Sequence, residues 1–368
     1  MSNPSTAPEE AQTIPTGGSG APGFLRRAGR VIGICLLALV VLIATAWGAL
    51  AIYYSNLPGE TLRTIAAAAF SLGTAAAFIF LKRRWRTLAI FACVFGMLIV
   101  WYFLIPASND RDWQPDVAVL ATADINGNQV TIHNVRNLDY KTETDFTPRY
   151  YDKTLNLDDL NSVDFINVYW GSPAIAHVMV SFGFAGKDYV CMSIETRKEK
   201  GEGYSTIKGF FRQFEVYNVV ADERDLIRVR TNYRNPMEDV YVYRTRMPIE
   251  NQRKLFLDYL REVNELARKP EWYNTVTDNC TTGVLRHIQS YGGRAKYNWK
   301  ILLSGYSGEY AYELKAFDTG LPFEELRRLG HVNERAHAAG DAENFSQKIR
   351  EGMPMPTPLS MEAFRKHD

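Results

Sequence analysis

Three long uncharged runs fill most of the chain between Arg30 and Pro106, and they limit its architecture more than any other feature. Val31 to Tyr54 carries no charge and, as a helix, is long enough to cross roughly 30 Å of hydrocarbon. Thr64 to Leu81 is a second run, rich in alanine, and Leu88 to Ile105 is a third, with Trp101 and Tyr102 suited to an interfacial belt. A cleaved signal peptide would explain the first run alone, but the run is too long for one and two more follow. Residues 30–105 therefore read as three transmembrane helices, with the lipid bilayer as their partner.

The flanking charges give a sidedness. Arg26, Arg27 and Arg30 precede the first run, and Lys82, Arg83, Arg84 and Arg86 crowd the loop between the second and third. The loop between the first two holds only Glu60 and Arg63. Positive loops stay in the cytoplasm, so the N-terminus is expected inside and everything after Ile105 outside. In a bacterial cell that is the periplasmic face of the inner membrane. Residues 1–29, rich in Pro, Gly, Ser, Ala and Thr, are expected as a disordered cytoplasmic tail. Residues 106–335 are expected as the folded periplasmic domain, and 336–368 as a polar C-terminal tail, extended across Met353–Pro358.

Composition removes several function classes. Lys+Arg is 42 against Asp+Glu 41, and a net charge of +1 gives no positive excess for nucleic acid. Four cysteines are too few for a disulfide scaffold, and without a CxxC pair or an HExxH spacing no metal or other cofactor is expected.

Beyond Pro106, strand and helix signals alternate without a repeat. Val117–Leu120 and Gln129–Val135 read as strands around an Asn126-Gly127-Asn128 turn, and Leu157 to Phe165 is ambiguous. Ala176–Phe184 and Tyr189–Thr196 form the clearest hairpin, and Ile227–Arg230 and Val240–Arg244 look like further strands. Ile249 to Ala267 is an amphipathic helix, and Cys280 to Tyr291 a second one begun by Thr277 or Asp278. The sum is an α+β domain with a mainly antiparallel sheet.

Along the hairpin, Val178, Val180, Phe182 and Phe184 alternate with His177, Met179, Ser181 and Gly183, and Val190, Met192 and Ile194 alternate with Cys191, Ser193, Glu195 and Arg197. With the apolar rows packed together, His177, Ser181, Ser193, Glu195 and Arg197 share the other face. A histidine and a carboxylate on one patch can act as a base and the group that orients it. The same pattern also suits the solvated side of a half-exposed sheet.

Cys280, in Asp278-Asn279-Cys280-Thr281-Thr282, falls in the first turn of a helix. There the free N–H groups and the positive dipole end favour thiolate, lowering the pKa from its usual ~8.5. The same amides can receive an oxyanion. A buried inert cysteine and a Cys191–Cys280 disulfide are the competing readings. His287 lies two turns further along that helix, ~10.5 Å away, too far to serve Cys280 directly. His331, His337 and His367 lie towards the polar tail, and His133 is a weaker option.

These blocks resemble the Lnb N-terminal periplasmic domain family from about Val130 to Thr282. The resemblance rests on His133–Asn137 with Tyr140, Tyr169-Trp170-Gly171 leading to Ala176-His177, and Ser181–Phe184. It continues through Ser193–Arg197, Glu223-Arg224-Asp225 with Arg230-Thr231-Asn232, and Asp278–Thr281. The family is named for a lipoprotein N-acyltransferase, and its fold is similar to circularly permuted papain-like proteins, where the histidine strand precedes the cysteine helix. His177 followed by Cys280 matches that order. In the acyltransferase the spans follow the domain, whereas here three precede it.

The resemblance implies a membrane-anchored, cysteine-dependent acyltransferase or hydrolase acting on lipoprotein or lipid acyl groups. Cys280, His177 and Glu195 are the expected catalytic residues, with Asn279, Ser193 and Arg197 positioning substrate or oxyanion. A cysteine amidase or peptidase on cell-wall peptides, and a non-enzymatic binding or assembly module, are the alternatives.

Overall fold

The computed structural model describes residues 21–318 and 320–366, so most of the expected N-terminal tail, and His367, lie outside the described residues. The chain divides into two compact units, at Leu104 and Ile105.

The first unit holds α1 (Ala21–Tyr53), α2 (Glu60–Phe80) and α3 (Arg84–Phe103). Their apolar stretches of 28, 21 and 20 residues are long enough to cross a membrane. At 1.5 Å per residue even the shortest reaches roughly 30 Å, the thickness of the hydrocarbon layer. Side chains such as Leu42, Leu72 and Phe80 are exposed on the helix surfaces, as a lipid-facing surface requires. Gly48 lets α1 and α2 approach closely, since a Cβ there would meet the Phe70 ring at 2.7 Å. Trp47 packs edge-on against Phe95 and Tyr102 of α3. Residues 21–29, expected in the tail, are helical and extend α1.

The second unit is α+β. Its strands are β1 (Thr122–Asn126), β2 (Gln129–Arg136), β3 (Asp139–Tyr140), β4 (Phe146–Thr147), β5 (Tyr150–Asn156), β6 (Leu160–Tyr169), β7 (Ala176–Phe184), β8 (Asp188–Arg197), β9 (Glu215–Ala221) and β10 (Asp239–Arg244). The main sheet runs β1-β2-β9-β8-β7-β6-β10, with β5 also on β2. All its pairings are antiparallel except β2 with β9. The helices are α4 (Glu223–Arg228), α5 (Ile249–Arg268), α6 (Cys280–Ser290), α7 (Trp299–Leu302), α8 (Ser307–Glu313), α9 (Phe323–Gly330), α10 (Asn333–Ala339), α11 (Phe345–Lys348) and α12 (Met361–Lys366).

Both faces of the sheet are buried. Val178, Val180, Phe182, Val190, Met192 and Ile194 pack under α5 and α6, as the hairpin alternation predicts. Phe182, wholly buried, meets Phe256 and Tyr259 edge-on at ring separations of 5.0 and 6.0 Å. Burial of one such side chain contributes about 1.5–3 kcal/mol. The opposite face is covered too: Met179, Cys191 and Val219 pack against Leu226, Ile227, Val332, Ala336, Phe345 and Ile349. A solvated sheet face is therefore not what the alternating polar residues mark. Ser181 donates to Glu223 at 2.6 Å, Arg350 spans Glu223 and Asp164, and Arg244 also pairs with Asp164. Polar side chains are tolerated under this layer because they are paired.

Four sequence expectations move. Residues 227–230 are helical, because Asp222 accepts a hydrogen bond from the Arg224 amide and starts α4 just upstream. The strand expected at Val117–Leu120 lies at Thr122–Asn126, reaching the turn directly. The ambiguous 157–165 stretch is one 3₁₀ turn followed by β6. Of the expected tail, residues 336–353 pack on the domain: Ala336, Ala339, Phe345, Ile349 and Met353 are buried, and Arg350 is buried in ion pairs. These anchors are spread over helices too short to show a period.

Candidate functional site

The β7–β8 ladder stops at the pair Met179–Ser193, although β7 runs back to Ala176 and β8 on to Arg197. Beside the opening between the strands, the Val178 N–H lies close enough to the Cys280 sulfur to favour its thiolate. Helix α6 reaches this point because Gly283 has no Cβ; one there would collide with Ile194 Cδ1 of β8.

Asn279 sets the start of α6. Its Oδ1 accepts from the Thr281 and Thr282 amides, both at 2.9 Å, while Thr282 Oγ1 accepts from the Asn279 amide at 2.9 Å. This reciprocal capping box, rather than Thr277 or Asp278, begins the helix. The Gly283 amide bonds the Asn279 carbonyl. The Cys280 N–H is left without a partner among the described residues, beside its own sulfur.

The His177 imidazole and the Cys280 sulfur are close enough for each to shift the other's titration. His177 Nε2 lies 2.6 Å from Ser193 Oγ, which donates to Glu195 Oε1 at 2.8 Å, and 3.5 Å separates Nε2 from that same carboxylate oxygen. With Ser193 donating to Glu195, its oxygen accepts from a protonated Nε2. Arg230 Nη2 donates to Glu195 Oε1 at 2.9 Å and its Nη1 to the Leu226 carbonyl at 2.7 Å. The His177 and Glu195 side chains are 15% and 21% exposed, so solvent reaches the site without filling it.

The electrostatics follow from this packing. Burial pushes the His177 imidazole down, but the Cys280 thiolate, its hydrogen bond and Glu195 outweigh that and lift it to about 9. Burial pushes the Cys280 thiol up, yet His177 and the Val178 amide pull it below its ordinary value. Burial raises Glu195, but the hydrogen bond to His177 and the Arg230 charge hold it well below the carboxylate range. Each group therefore favours the charged form of the other, as suits a nucleophile beside its proton donor.

Of the six expected site residues, Cys280, His177, Ser193 and Glu195 come together. Asn279 is next to them, with its oxygen committed to the cap and its Nδ2 donating to the Thr275 carbonyl. Arg197 is elsewhere: it donates to the carbonyls of Val117 and Ala118 and to Asn109, and stacks 4.2 Å over Trp113. Strand alternation gives its face correctly, but its long side chain leads away from His177. Arg230 is the residue the sequence reading left without a role. It stands in a π-helical turn, Val229–Tyr233, of a kind that often marks functional sites. Its presence in one of the family blocks was the available signal.

The competing roles fall away. Cys191 and Cys280 are both free thiols, and burial raises Cys191. His287 stacks on Tyr259 between Asp258 and Glu262, and His133 joins Asp124 and Asp152 at an exposed edge. His331 meets Asp239 at 2.9 Å. Among the described residues no His, Cys, Asp and Glu side chains group as a metal site.

Residues 146–310 match the model of the Lnb N-terminal periplasmic domain family, the family the sequence blocks resemble. The match contains β7, β8 and α6 whole; the His133–Tyr140 block lies before it, and it runs on past Thr282. No curated protein and no solved structure matches the chain.

Proposed function

We propose that this Lnb-type domain, on a membrane protein with three apolar N-terminal helices, is a cysteine acyltransferase or hydrolase acting on lipid or lipoprotein acyl groups. The observation that carries the reading is the Cys280–His177–Ser193–Glu195 constellation, in which His177 bonds Ser193, Ser193 bonds Glu195, and sulfur and imidazole push each other's pKa towards the ion pair. The positive-inside pattern of Arg26, Arg27, Arg30 and Lys82–Arg86 supports an N-terminus in the cytoplasm and the domain on the periplasmic face of the bacterial inner membrane, beside its lipid substrates.

The Cys280 thiolate attacks the ester carbonyl of the donor. The Cys280 N–H, unpaired at the helix start, receives the oxyanion. As the C–O bond breaks, the His177 imidazolium gives its proton to the departing alkoxide, leaving an alcohol and a Cys280 thioester. An amine or water then attacks the thioester carbonyl and passes a proton to His177, and the sulfur leaves as thiolate, which restores the ion pair. With Nε2 held by Ser193 and Glu195, Nδ1 is the nitrogen that faces the reaction. Arg230 positions Glu195 and, through it, the ring.

Mass analysis of lipids and lipoproteins from cells with the parent protein, Cys280→Ala or no protein tests the reading. We expect an acylation or deacylation product that requires both the protein and Cys280. Identical profiles in all three would refute it.

A further inference from the structure

An apolar cavity of about 140 Å³ lies next to Cys280 within the second unit. Two of its lining residues belong to the nucleophile's surroundings: Val178, whose N–H favours the Cys280 thiolate, and Thr281, which follows Cys280. Val284, Leu285 and Ile288 of α6 and Phe317 carry the wall away from the site. A dry cavity of this size holds about six carbon atoms, as an engineered ~150 Å³ cavity holds one benzene. A membrane acyl chain is longer than that.

Tyr310, Ala311 and Leu314 continue that wall, and one further part of it is the segment that follows Arg350. Leu359 and Phe364 close the cavity. They hang on a strap that leaves the folded body after the buried Met353, just beyond Arg350, which is fixed by its pairs to Asp164 and Glu223. Pro354, Pro356 and Pro358 have no N–H to bond, and between Met353 and Leu359 the strap makes no backbone hydrogen bond among the described residues. It is caught again at Leu359, whose N–H donates to the Arg246 carbonyl at 2.9 Å. Side chains such as Pro354, Pro356, Pro358, Leu359 and Phe364 are only half-buried. Across residues 354–359 the Leu359 amide makes the one backbone hydrogen bond among the described residues, a main-chain attachment sparse enough to place the segment in the less stable part of the domain.

We propose that this cavity takes the aliphatic chain of the acyl group delivered to Cys280, and that the C-terminal strap, through Leu359 and Phe364, is its displaceable wall. With the strap seated, the cavity admits a short chain or the first part of a long one. With the strap displaced, the cavity is continuous with the space those two side chains vacate, and long chains enter. The strap therefore sets chain-length preference and restrains the enzyme until a lipid displaces it. This inference rests on the reading of Cys280 as the acyl-accepting nucleophile.

The test uses full-length protein in lipid nanodiscs and photoreactive diazirine analogues of octanoic and hexadecanoic acid, with labelled peptides mapped by mass spectrometry. In the parent we expect the octanoic probe to label residues 281–295 and 307–317, and the hexadecanoic probe to label them weakly. Leu359→Ala with Phe364→Ala should raise hexadecanoic labelling there to the octanoic level. Val284→Trp, or the milder Ala311→Leu, should abolish labelling by filling the cavity while the domain keeps a cooperative thermal unfolding transition, which reports that it is folded. Labelling confined to the three N-terminal helices, or unchanged in the strap and filling variants, would overturn the proposal. If the cavity labels as expected but Cys280 reacts no faster than an ordinary thiol, the binding site stands and the nucleophile reading fails.

Discussion

In Cys280→Ala the His177 imidazole loses the thiolate that does most to keep it charged. In the parent it titrates at about 9 against an ordinary 6.5, and the largest upward contributions are the Cys280 charge and its hydrogen bond. A lift of about 2.5 units corresponds to roughly 3 kcal/mol favouring the imidazolium, at ~1.36 kcal/mol per unit, less what solvent reaching the part-exposed ring screens. Without the sulfur, burial and the Arg230 charge still push the ring down, and only the hydrogen bond to Glu195 among the main contributions pushes it up. The His177 pKa should therefore fall by about two units or more, to its ordinary value or below. The sign is opposite for the partner: in His177→Ala the Cys280 thiol should rise, because burial then acts without its main opposing charge. Histidine-labelled protein, titrated by NMR with His177 assigned through His177→Gln, reads the first shift. The pH profile of iodoacetamide alkylation reads the second. A His177 pKa that stays near 9 in Cys280→Ala would refute the reasoning and make Glu195 the charge that matters.

Glu195→Gln should retain partial turnover, since an amide oxygen still accepts from Ser193 but no longer offsets the imidazolium; full activity by initial-rate measurement would remove Glu195 from the relay. Arg350→Ala leaves the buried Glu223 without its cation, bonded to the Ser181 hydroxyl, and Asp164 with Arg244 in place of two arginines, and should destabilise by about 3–5 kcal/mol in thermal unfolding. Asp164 is buried, which alone would raise its carboxyl, but Arg350 and Arg244 hold it below the ordinary 3.8; its contribution is thus complete above pH 3.8 and lost as pH falls through the lowered value, and an acid-unfolding midpoint unmoved by Arg350→Ala would contradict this. Val180→Asp places an unpaired charge in the core under α5 and should cost more than about 4 kcal/mol, read as loss of the cooperative thermal unfolding transition.

How much of this was legible in the sequence varied with the range of the interaction. The hairpin of β7 and β8 was readable because strict alternation assigns a face to every residue, and His177, Ser193 and Glu195 followed from it. Cys280 was readable because polar capping residues mark a helix start locally. Alternation could not show that the polar face is covered, because the cover comes from Arg350, 186 residues from its partner Asp164. Arg230 was missed for the same reason: a side chain 35 residues from Glu195 has no local pattern. The strand expected at 227–230 failed because branched residues suit a buried helix as well once Asp222 caps it. Arg197 shows the limit of face assignment, which fixes where a Cβ points and not where a guanidinium ends.

The central claim is that Cys280 carries the acyl group. Full-length protein in nanodiscs, given a diacylglyceryl lipopeptide and quenched in acid, should yield a Cys280 peptide heavier by one acyl chain, with the adduct released by hydroxylamine and absent from His177→Ala. An acylated or deacylated product formed equally well by Cys280→Ala, with no adduct on the parent peptide, would contradict it.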